Sequence, residues 1–195
     1  DIADYTLTLL PVPSDSNKPV KPDTAMFLYG YNFSKGMESL AEKIFLDRDI
    51  DVAVYAGNDP SNQLIGEIKK AIPESANSLL LTGKNPEILT GNVLLSGAGY
   101  AEILCRTKIM ITHFGLTMFE ADICGCTIAA LNPSPYHNAL TEIMKNQFHI
   151  LYSSEYKTFS QANLREIIDS ALKNFTDKKI PIDYILDRIN LNKKN

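Results

Sequence analysis

The chain has 195 residues, of which 45% are hydrophobic, and its formal net charge is −4. This size and composition predict one globular domain with a substantial core and exclude a mainly disordered protein. With 19 Lys and Arg against 23 Asp and Glu, and no basic tract before the terminal NKKN, the sequence argues against nucleic-acid binding. It contains no apolar run long enough to cross a bilayer and no signal-like leader, so we expect a cytoplasmic protein without a transmembrane segment.

The first 23 residues differ in composition from the rest. Residues 5–10 are apolar, and the segment after them holds four prolines among polar residues, which predicts an extended connector. We therefore expect residues 1–23 to be a strand and linker from a preceding domain, and residues 24–195 to be the domain proper. Because the chain begins at Asp1, we expect a processed chain or, preferably, an excised piece of a longer one.

From residue 24 onward, apolar runs of strand length alternate with segments whose apolar residues recur at helical spacing. Strands are predicted at 25–31, 51–57, 78–83, 108–113, 127–131 and 148–153, with a further short apolar segment at 92–97. Helices are predicted at 34–49, 59–72, 100–106, 117–124, from 134 and at about 160–175, followed by an amphipathic tail around 184–189. Residues that favour helix starts are Ser34, Asp59 with Pro60, and Ser134 with Pro135.

Apolar strands without clean alternation, joined by short loops to amphipathic helices, are typical of a parallel sheet covered on both faces. The sequence therefore predicts an α/β fold: a Rossmann-like three-layer sandwich with a mainly parallel sheet of about six strands. Cys105, Cys124 and Cys126 are expected to be reduced core thiols, since their spacing and the lack of a nearby His do not match a zinc site.

Ligands of such sheets bind beyond the carboxyl ends of the strands, at the strand-to-helix junctions. At the first junction, Gly30 ends a strand and Asn32 opens a helix whose free amides would favour a phosphate; the alternative is an ordinary turn. Neither G-x-G-x-x-G nor G-x-x-x-x-G-K-[ST] is present. At the second, Thr82, Gly83 and Lys84 follow a strand, and Lys84 either meets a diphosphate or lies in a solvated turn.

The third junction, ITHFGLTMFEA at 111–121, leads from a strand into a predicted helix. Thr117 and Glu120 match the capping box S/T-x-x-E, in which both side chains bind free backbone amides. Alternatively, the amides near Gly115 face a phosphate while Glu120 accepts hydrogen bonds from ribose hydroxyls. His113 is either a general base in the same crevice or a junction residue with satisfied hydrogen bonds.

The fourth junction, LNPSPYHNALTE at 131–142, places His137 and Asn138 just inside a helix start. At the positive end of a helix His137 should resist protonation, and with Asn138 it would bind the polar edge of a ligand. The alternative is a histidine packed at the surface of a helix start.

Together these junctions make residues 24–175 resemble the C-terminal, donor-binding half of GT-B glycosyltransferases and their relatives. The likeness is greatest to lipid II N-acetylglucosaminyltransferases and to UDP-sugar hydrolases of pseudaminic acid synthesis. Its best-matched part, HFGLTMFEADICGCTIAALNPSPYHNAL, is similar to the family's small-residue turn, Thr-x-x-Glu helix, strand and loop ending in Asn-Ala. YGYN at 29–32 stands where the family has a glycine-rich loop, with one glycine instead of several, and TGK at 82–84 is similar to another family turn.

The resemblance implies a set of substrate-binding residues. By position, Gly115, Leu116 and Thr117 would lie at the nucleotide diphosphate, Glu120 would bind the ribose hydroxyls, and His137, Asn138 and Ala139 would flank the donor sugar or phosphate. The implied function is binding of a UDP-sugar or similar nucleotide sugar as the substrate of a metal-independent glycosyltransferase, with no further cofactor.

The same resemblance implies a partner: an acceptor-binding half, present as an N-terminal domain or as a separate subunit. Alternative functions are a UDP-sugar hydrolase of nonulosonic acid biosynthesis and a non-catalytic α/β module that binds a protein. The sequence assigns no catalytic residue.

Overall fold

The computed structural model describes residues 31–40, 46–57, 60–81, 86–93, 99–177 and 180–191. Their elements are α1 (Tyr31–Ser39), β1 (Ile50–Val54), α2 (Asn62–Ala71), β2 (Ser78–Leu80), β3 (Glu87–Thr90), α3 (Tyr100–Arg106), β4 (Thr107–Thr112), α4 (Leu116–Ile123), β5 (Thr127–Asn132), α5 (Pro135–Met144), β6 (Ile150–Glu155), α6 (Gln161–Lys173) and α7 (Ile182–Leu191). Residues 25–30 of the predicted strand at 25–31, the linker at 1–23 with the domain boundary after it, Asp59 and residues 94–97 of the apolar segment at 92–97 lie outside these ranges. Tyr31 begins α1 instead of ending a strand, and residues 46–49, predicted as the end of a helix, are not helical.

Within those ranges the strands form one sheet in the order β3-β2-β1-β4-β5-β6. The strands from β2 to β6 in that order pair in parallel with their neighbours, and β3 is antiparallel to β2. This order is that of a doubly wound, Rossmann-like sheet, and the predicted α/β fold is confirmed. β3 was not predicted, because Glu87–Thr90 is a short and largely exposed edge strand without a buried apolar run.

Helices cover both faces of the sheet, as three layers require. On one face α2 and α6 pack against apolar side chains of β1, β2, β4 and β5, including Val52, Ile109 and Leu131. On the other face α1, α3, α4 and α7 share a core with Ala53 and Met110, and α4 and α5 enclose a third apolar cluster against β5. Neighbouring residues of a strand point to opposite faces, so strands buried on both sides need the continuous apolar runs seen in the sequence.

Several helix starts differ from the sequence prediction. Ser34 is buried inside α1 rather than at its start, because that helix already includes Tyr31. Ser61 caps α2, with its hydroxyl accepting a hydrogen bond from the Leu64 amide. The cap at Ser134 is confirmed, since its hydroxyl accepts from the amide of His137.

The three cysteines are buried and free, as predicted. Cys105 Sγ lies 3.5 Å from Cys124 Sγ, and burial raises the pKa of the Cys124 and Cys126 thiols, which keeps both protonated. None of the described helices is long and apolar enough to span a bilayer.

We predict that Gly125→Ala lowers the free energy of unfolding by about 1–3 kcal/mol. Gly125 has a φ of +78°, and a Cβ there would lie 2.5 Å from Ile180 Cδ1 and 2.7 Å from Arg48 Nη2. Gly66→Ala in α2 is the matched control, because its added methyl group meets nothing within 4 Å. It should instead raise stability by about 0.5–1 kcal/mol, since alanine favours a helix. Urea unfolding of both variants checks this, and equal effects would contradict it.

Candidate functional site

Two aromatic side chains meet where the chain order of the strands reverses. β1 and β4 are neighbours in the sheet although β2 and β3 lie between them in sequence. Tyr55 directly follows β1 and His113 directly follows β4, and their ring centroids are 5.9 Å apart. The Tyr55 amide donates to the Ile111 carbonyl at 2.8 Å, which continues the pairing of the two strands up to this point. Such a switch point is where open α/β sheets bind their ligands.

His113 is held by its own loop. Its Nδ1 lies 2.9 Å from the carbonyl oxygen of Phe114. A carbonyl only accepts hydrogen bonds, so Nδ1 carries a proton, and in the neutral ring Nε2 is then the acceptor. The arrangement is compatible with both hypotheses for His113, a satisfied junction residue and a base acting through Nε2.

The start of α4 has no side-chain cap. Gly115 is its N-cap residue and makes no side-chain hydrogen bond, so the first turn, from Leu116, depends on other acceptors for its amides. A Cβ at position 115 would meet only His113 ring atoms at 3.6 Å, an ordinary contact, so packing does not require glycine here. Leu116 is exposed.

Glu120 lies in the second turn of α4 and not at its start. The capping box is wrong, because the N-cap is Gly115 rather than Thr117. Glu120 is instead 4% exposed, and Tyr100 donates a hydrogen bond to its Oε2 at 2.7 Å. The Tyr100 hydroxyl also lies 3.2 Å from Thr117 Oγ1. The threonine hydroxyl can donate to the phenol oxygen, since a phenol has a single proton and the shorter contact uses it.

The charge of the Glu120 carboxylate contributes to a raised pKa of two tyrosines. Burial, and then the Glu120 charge, raise the pKa of Tyr100 far above its usual value. The same two causes raise the pKa of Tyr55, which is more exposed. Glu120, Tyr100 and Thr117 therefore form a polar cluster beside the uncapped start of α4, and the Glu120 charge also acts on Tyr55.

A second polar cluster lies at the start of α5. Ser134 Oγ lies 2.8 Å from His137 Nδ1 and accepts a hydrogen bond from the His137 amide at 3.4 Å. Asn138 Oδ1 accepts from Ser153 Oγ at 2.7 Å and from Asn132 Nδ2 at 3.2 Å. Asn132 is fully buried at the end of β5, and its Oδ1 accepts from the Phe114 amide at 2.9 Å. Asn132 thus joins the turn before α4 to the start of α5.

Of the sequence-predicted residues, the structure brings His113, Gly115, Leu116, Thr117 and Glu120 together at the switch point, and His137 with Asn138 at the next junction. Gly30, Thr82, Gly83 and Lys84 lie outside the described residues, as does the side chain of Asn32, whose backbone begins α1. In the described parts of the chain, no three His, Cys, Asp or Glu side chains are grouped to hold a metal ion.

Sequence analysis missed Tyr100 and Asn132. Tyr100 opens α3, which is adjacent to α4 only in the folded chain. Asn132 had a readable signal, because it is a polar residue that ends the apolar strand TIAALN. Thr112 gives a similar signal at the end of β4: it is buried, and among the described residues its Oγ1 is the buried side-chain atom without a hydrogen-bond partner.

We predict that Tyr100→Phe lowers the free energy of unfolding by about 1.5–3 kcal/mol, because it removes a donor from a buried carboxylate. Tyr184→Phe is the control, since Tyr184 is 52% exposed on α7. In a Glu120→Gln background the loss should shrink, because a neutral acceptor gains less from the phenol. Thermal or urea unfolding of the four variants measures it, and equal losses for Tyr100→Phe and Tyr184→Phe would rule it out.

Alkaline pH should destabilise the fold partly through Tyr156, which follows β6 at the same edge. Burial raises the pKa of Tyr156 from 10.0 to about 12. A raised pKa stabilises the folded state below the unfolded value, and this contribution is lost as the pH rises through the folded value. We therefore expect the unfolding free energy to fall between pH 10 and 12, and Tyr156→Phe to fall less steeply than wild type. Tyr136→Phe, at a 65% exposed position, should match wild type, and parallel curves for all three proteins would refute the assignment.

Comparison with known proteins gives no family. No protein-family model and no curated protein matches the chain. A solved structure described as the glycotransferase of kitacinnamycin is similar, with a TM-score of 0.45 and 10% sequence identity over 79% of this chain and 41% of that one. The chain thus spans less than half of the length of that structure. The fold assignment rests on the strand order of the chain itself.

Proposed function

We propose that this chain is the nucleotide-sugar-binding half of a GT-B type glycosyltransferase, with a UDP-sugar as its donor substrate. The observation that carries the proposal is the pairing of an uncapped helix start at Gly115 with the buried Glu120–Tyr100 pair, at the switch point of a doubly wound sheet. Such a switch point is where this class of sheet takes nucleotides.

The start of α4 suits the diphosphate. The first-turn amides after Gly115 have no side-chain cap, and the helix dipole adds a partial positive charge at the same place. Glycine at the N-cap lets a phosphate approach the backbone closely, and packing does not otherwise require it. Here the amides would stabilise the negative charge that the diphosphate gains as the bond to the sugar breaks.

Glu120 is assigned to the ribose. A carboxylate can accept hydrogen bonds from two neighbouring hydroxyls, and Tyr100 fixes its orientation by holding Oε2. Because Glu120 is only 4% exposed, the proposal includes an opening of its surroundings when the nucleotide binds. His137 and Asn138, at the start of α5, are assigned to the donor sugar or its phosphate.

Transfer and hydrolysis of a UDP-sugar would use this half in the same way, because the leaving diphosphate is identical in both reactions. The acceptor and the catalytic base would then come from a partner, either an N-terminal domain or a separate subunit. We expect the isolated chain to bind the nucleotide without turnover.

The test is calorimetric titration with UDP. Wild type should bind, and Glu120→Gln should weaken binding by about 1–3 kcal/mol, because it removes the charge of the acceptor but keeps its shape. Glu142→Gln is the matched control: Glu142 is exposed on α5 and pairs with Lys145 at 2.7 Å, so binding should not change.

No heat of binding with wild type at millimolar UDP would reject the proposal. Equal affinities of wild type and Glu120→Gln would reject the ribose assignment while leaving the diphosphate site standing. The chain is then incubated with a UDP-sugar, alone and with candidate partner halves. Free UDP in the mixture would show turnover in addition to binding.

A further inference from the structure

We propose that Asn132 is a positioning residue that dictates which way the Asn138 amide points, and so makes Asn138 a hydrogen-bond donor toward a bound ligand. The ligand part of this proposal rests on the proposed function, whereas the orientation of the two amides does not. The orientation of each amide is determined by a neighbouring group that can only donate a hydrogen bond at that contact.

The first fixed group is a backbone amide. The Phe114 N–H can only donate, so the Asn132 atom 2.9 Å from it must be the oxygen. Thr141 Oγ1 also lies 3.3 Å from this oxygen, but its single proton has a nearer acceptor in the His137 carbonyl at 3.0 Å, so the Phe114 amide alone decides the orientation. The orientation of the Asn132 amide is therefore set by the turn between β4 and α4.

The second amide follows from the first. With its oxygen committed, Asn132 presents its NH₂ group to Asn138, and the atom of Asn138 that faces it at 3.2 Å must be an oxygen. Ser153 Oγ donates to that same oxygen at 2.7 Å. The Asn132 NH₂ group therefore fixes the orientation of the Asn138 amide, and the Ser153 hydroxyl, which can donate or accept, adapts to it.

The remaining half of Asn138 is its NH₂ group, with two donors. No described residue accepts a hydrogen bond from it. Asn138 is half-buried, and its NH₂ group is not fully buried, since Thr112 Oγ1 is the buried side-chain polar atom left without a partner in the described part of the chain. Asn138 is the fourth residue of α5, so these donors lie at the carboxyl edge of the sheet next to the first-turn amides of a helix. The chemistry that fits them is an acceptor such as a phosphate oxygen or a sugar hydroxyl.

This connection couples the two helix openings. A displacement of the turn at Phe114 moves the backbone amide that donates to Asn132 Oδ1. Through Asn132 the displacement then reaches Asn138 on α5. Asn132 is fully buried, so a water molecule could bridge Phe114 and Asn138 in its place only if a cavity were present there. Asn132 itself does not reach the ligand.

Asn132→Asp tests the proposal with almost no change of shape. As a carboxylate it still accepts from the Phe114 amide, but it now presents oxygen to Asn138. The Asn138 amide should turn over, donate inward to the new carboxylate and to Ser153 Oγ, and point its oxygen at the ligand. Protonating the introduced carboxyl supplies a donor to Asn138 and restores the wild-type arrangement.

We therefore expect Asn132→Asp to bind UDP about tenfold or more weakly than wild type at neutral pH, and to recover toward wild type as the pH is lowered. The titratable groups nearby are His113 in the turn, His137 on α5, and Glu155 and Tyr156 at the end of β6. The same groups are present in wild type, so the ratio of the two affinities isolates position 132. Asn163→Asp, which adds the same charge at an exposed position in the first turn of α6, should follow the wild-type profile.

A second measurement needs no ligand. In wild type the side-chain NH₂ protons of Asn138 should exchange with water like those of an exposed amide. In Asn132→Asp they should exchange more slowly at neutral pH and return to the wild-type rate in acid. The Phe114 backbone amide should stay protected in both proteins, which shows that the turn is intact.

The outcomes are distinct. If wild type fails to bind UDP, the proposed function fails, and Asn138 exchange still decides the orientation. Unchanged Asn138 exchange in Asn132→Asp, or weakened binding that does not recover in acid, overturns the positioning role. Should Asn132→Asp not fold, Asn138→Asp keeps both accepted hydrogen bonds and turns only the outward atoms into acceptors; wild-type affinity in that variant overturns the proposal as well.

Discussion

The parallel pairing of β1 with β4 is the constraint on which the rest of this structure depends. It aligns Val54 with Ile111, so the two strands end side by side although these residues are 57 positions apart in the chain. The segments that leave these ends lead to helices on opposite faces of the sheet, which is the arrangement of a ligand-binding switch point. Tyr55, His113 and the start of α4 come together at this switch point because of the strand order.

Polar groups buried at this edge must find partners, since an unpaired one costs about 1–3 kcal/mol. Glu120 has the Tyr100 hydroxyl, and Asn132 uses both ends of its amide. An apolar edge would avoid this cost, because a buried polar network with unpaired groups lowers the stability of the fold. Retaining these groups therefore favours a functional reason for them, as does their position near the carboxyl edge of the sheet.

The sequence predicted the fold well because buried parallel strands need continuous apolar runs, and these are visible one residue at a time. It missed β3, whose exposed residues carry no such signal. In the candidate site it singled out Glu120 and Asn138 from their nearness to predicted helix starts, but it mistook Glu120 for half of a capping box. Pairs such as Tyr100 with Glu120, or Asn132 with Phe114, are separated by 18 or 20 residues and meet only after the sheet has formed. A linear pattern does not contain that proximity.

The spacing along α4 also discriminates between possible ligands. From Leu116, in the first turn, to Glu120 the helix rises roughly 6 Å, at about 1.5 Å per residue. A carboxylate so close repels an anion at the helix start by roughly 3 kcal/mol per unit charge if the effective dielectric constant is about 20. Free pyrophosphate would be repelled by Glu120 and has no pentose hydroxyls that could donate hydrogen bonds to it. A nucleoside diphosphate carries hydroxyls about as far from its phosphates as Glu120 is from the first-turn amides, so in the proposed complex the same carboxylate would accept hydrogen bonds from the pentose. The charge that opposes a simple anion is then what would select the nucleotide.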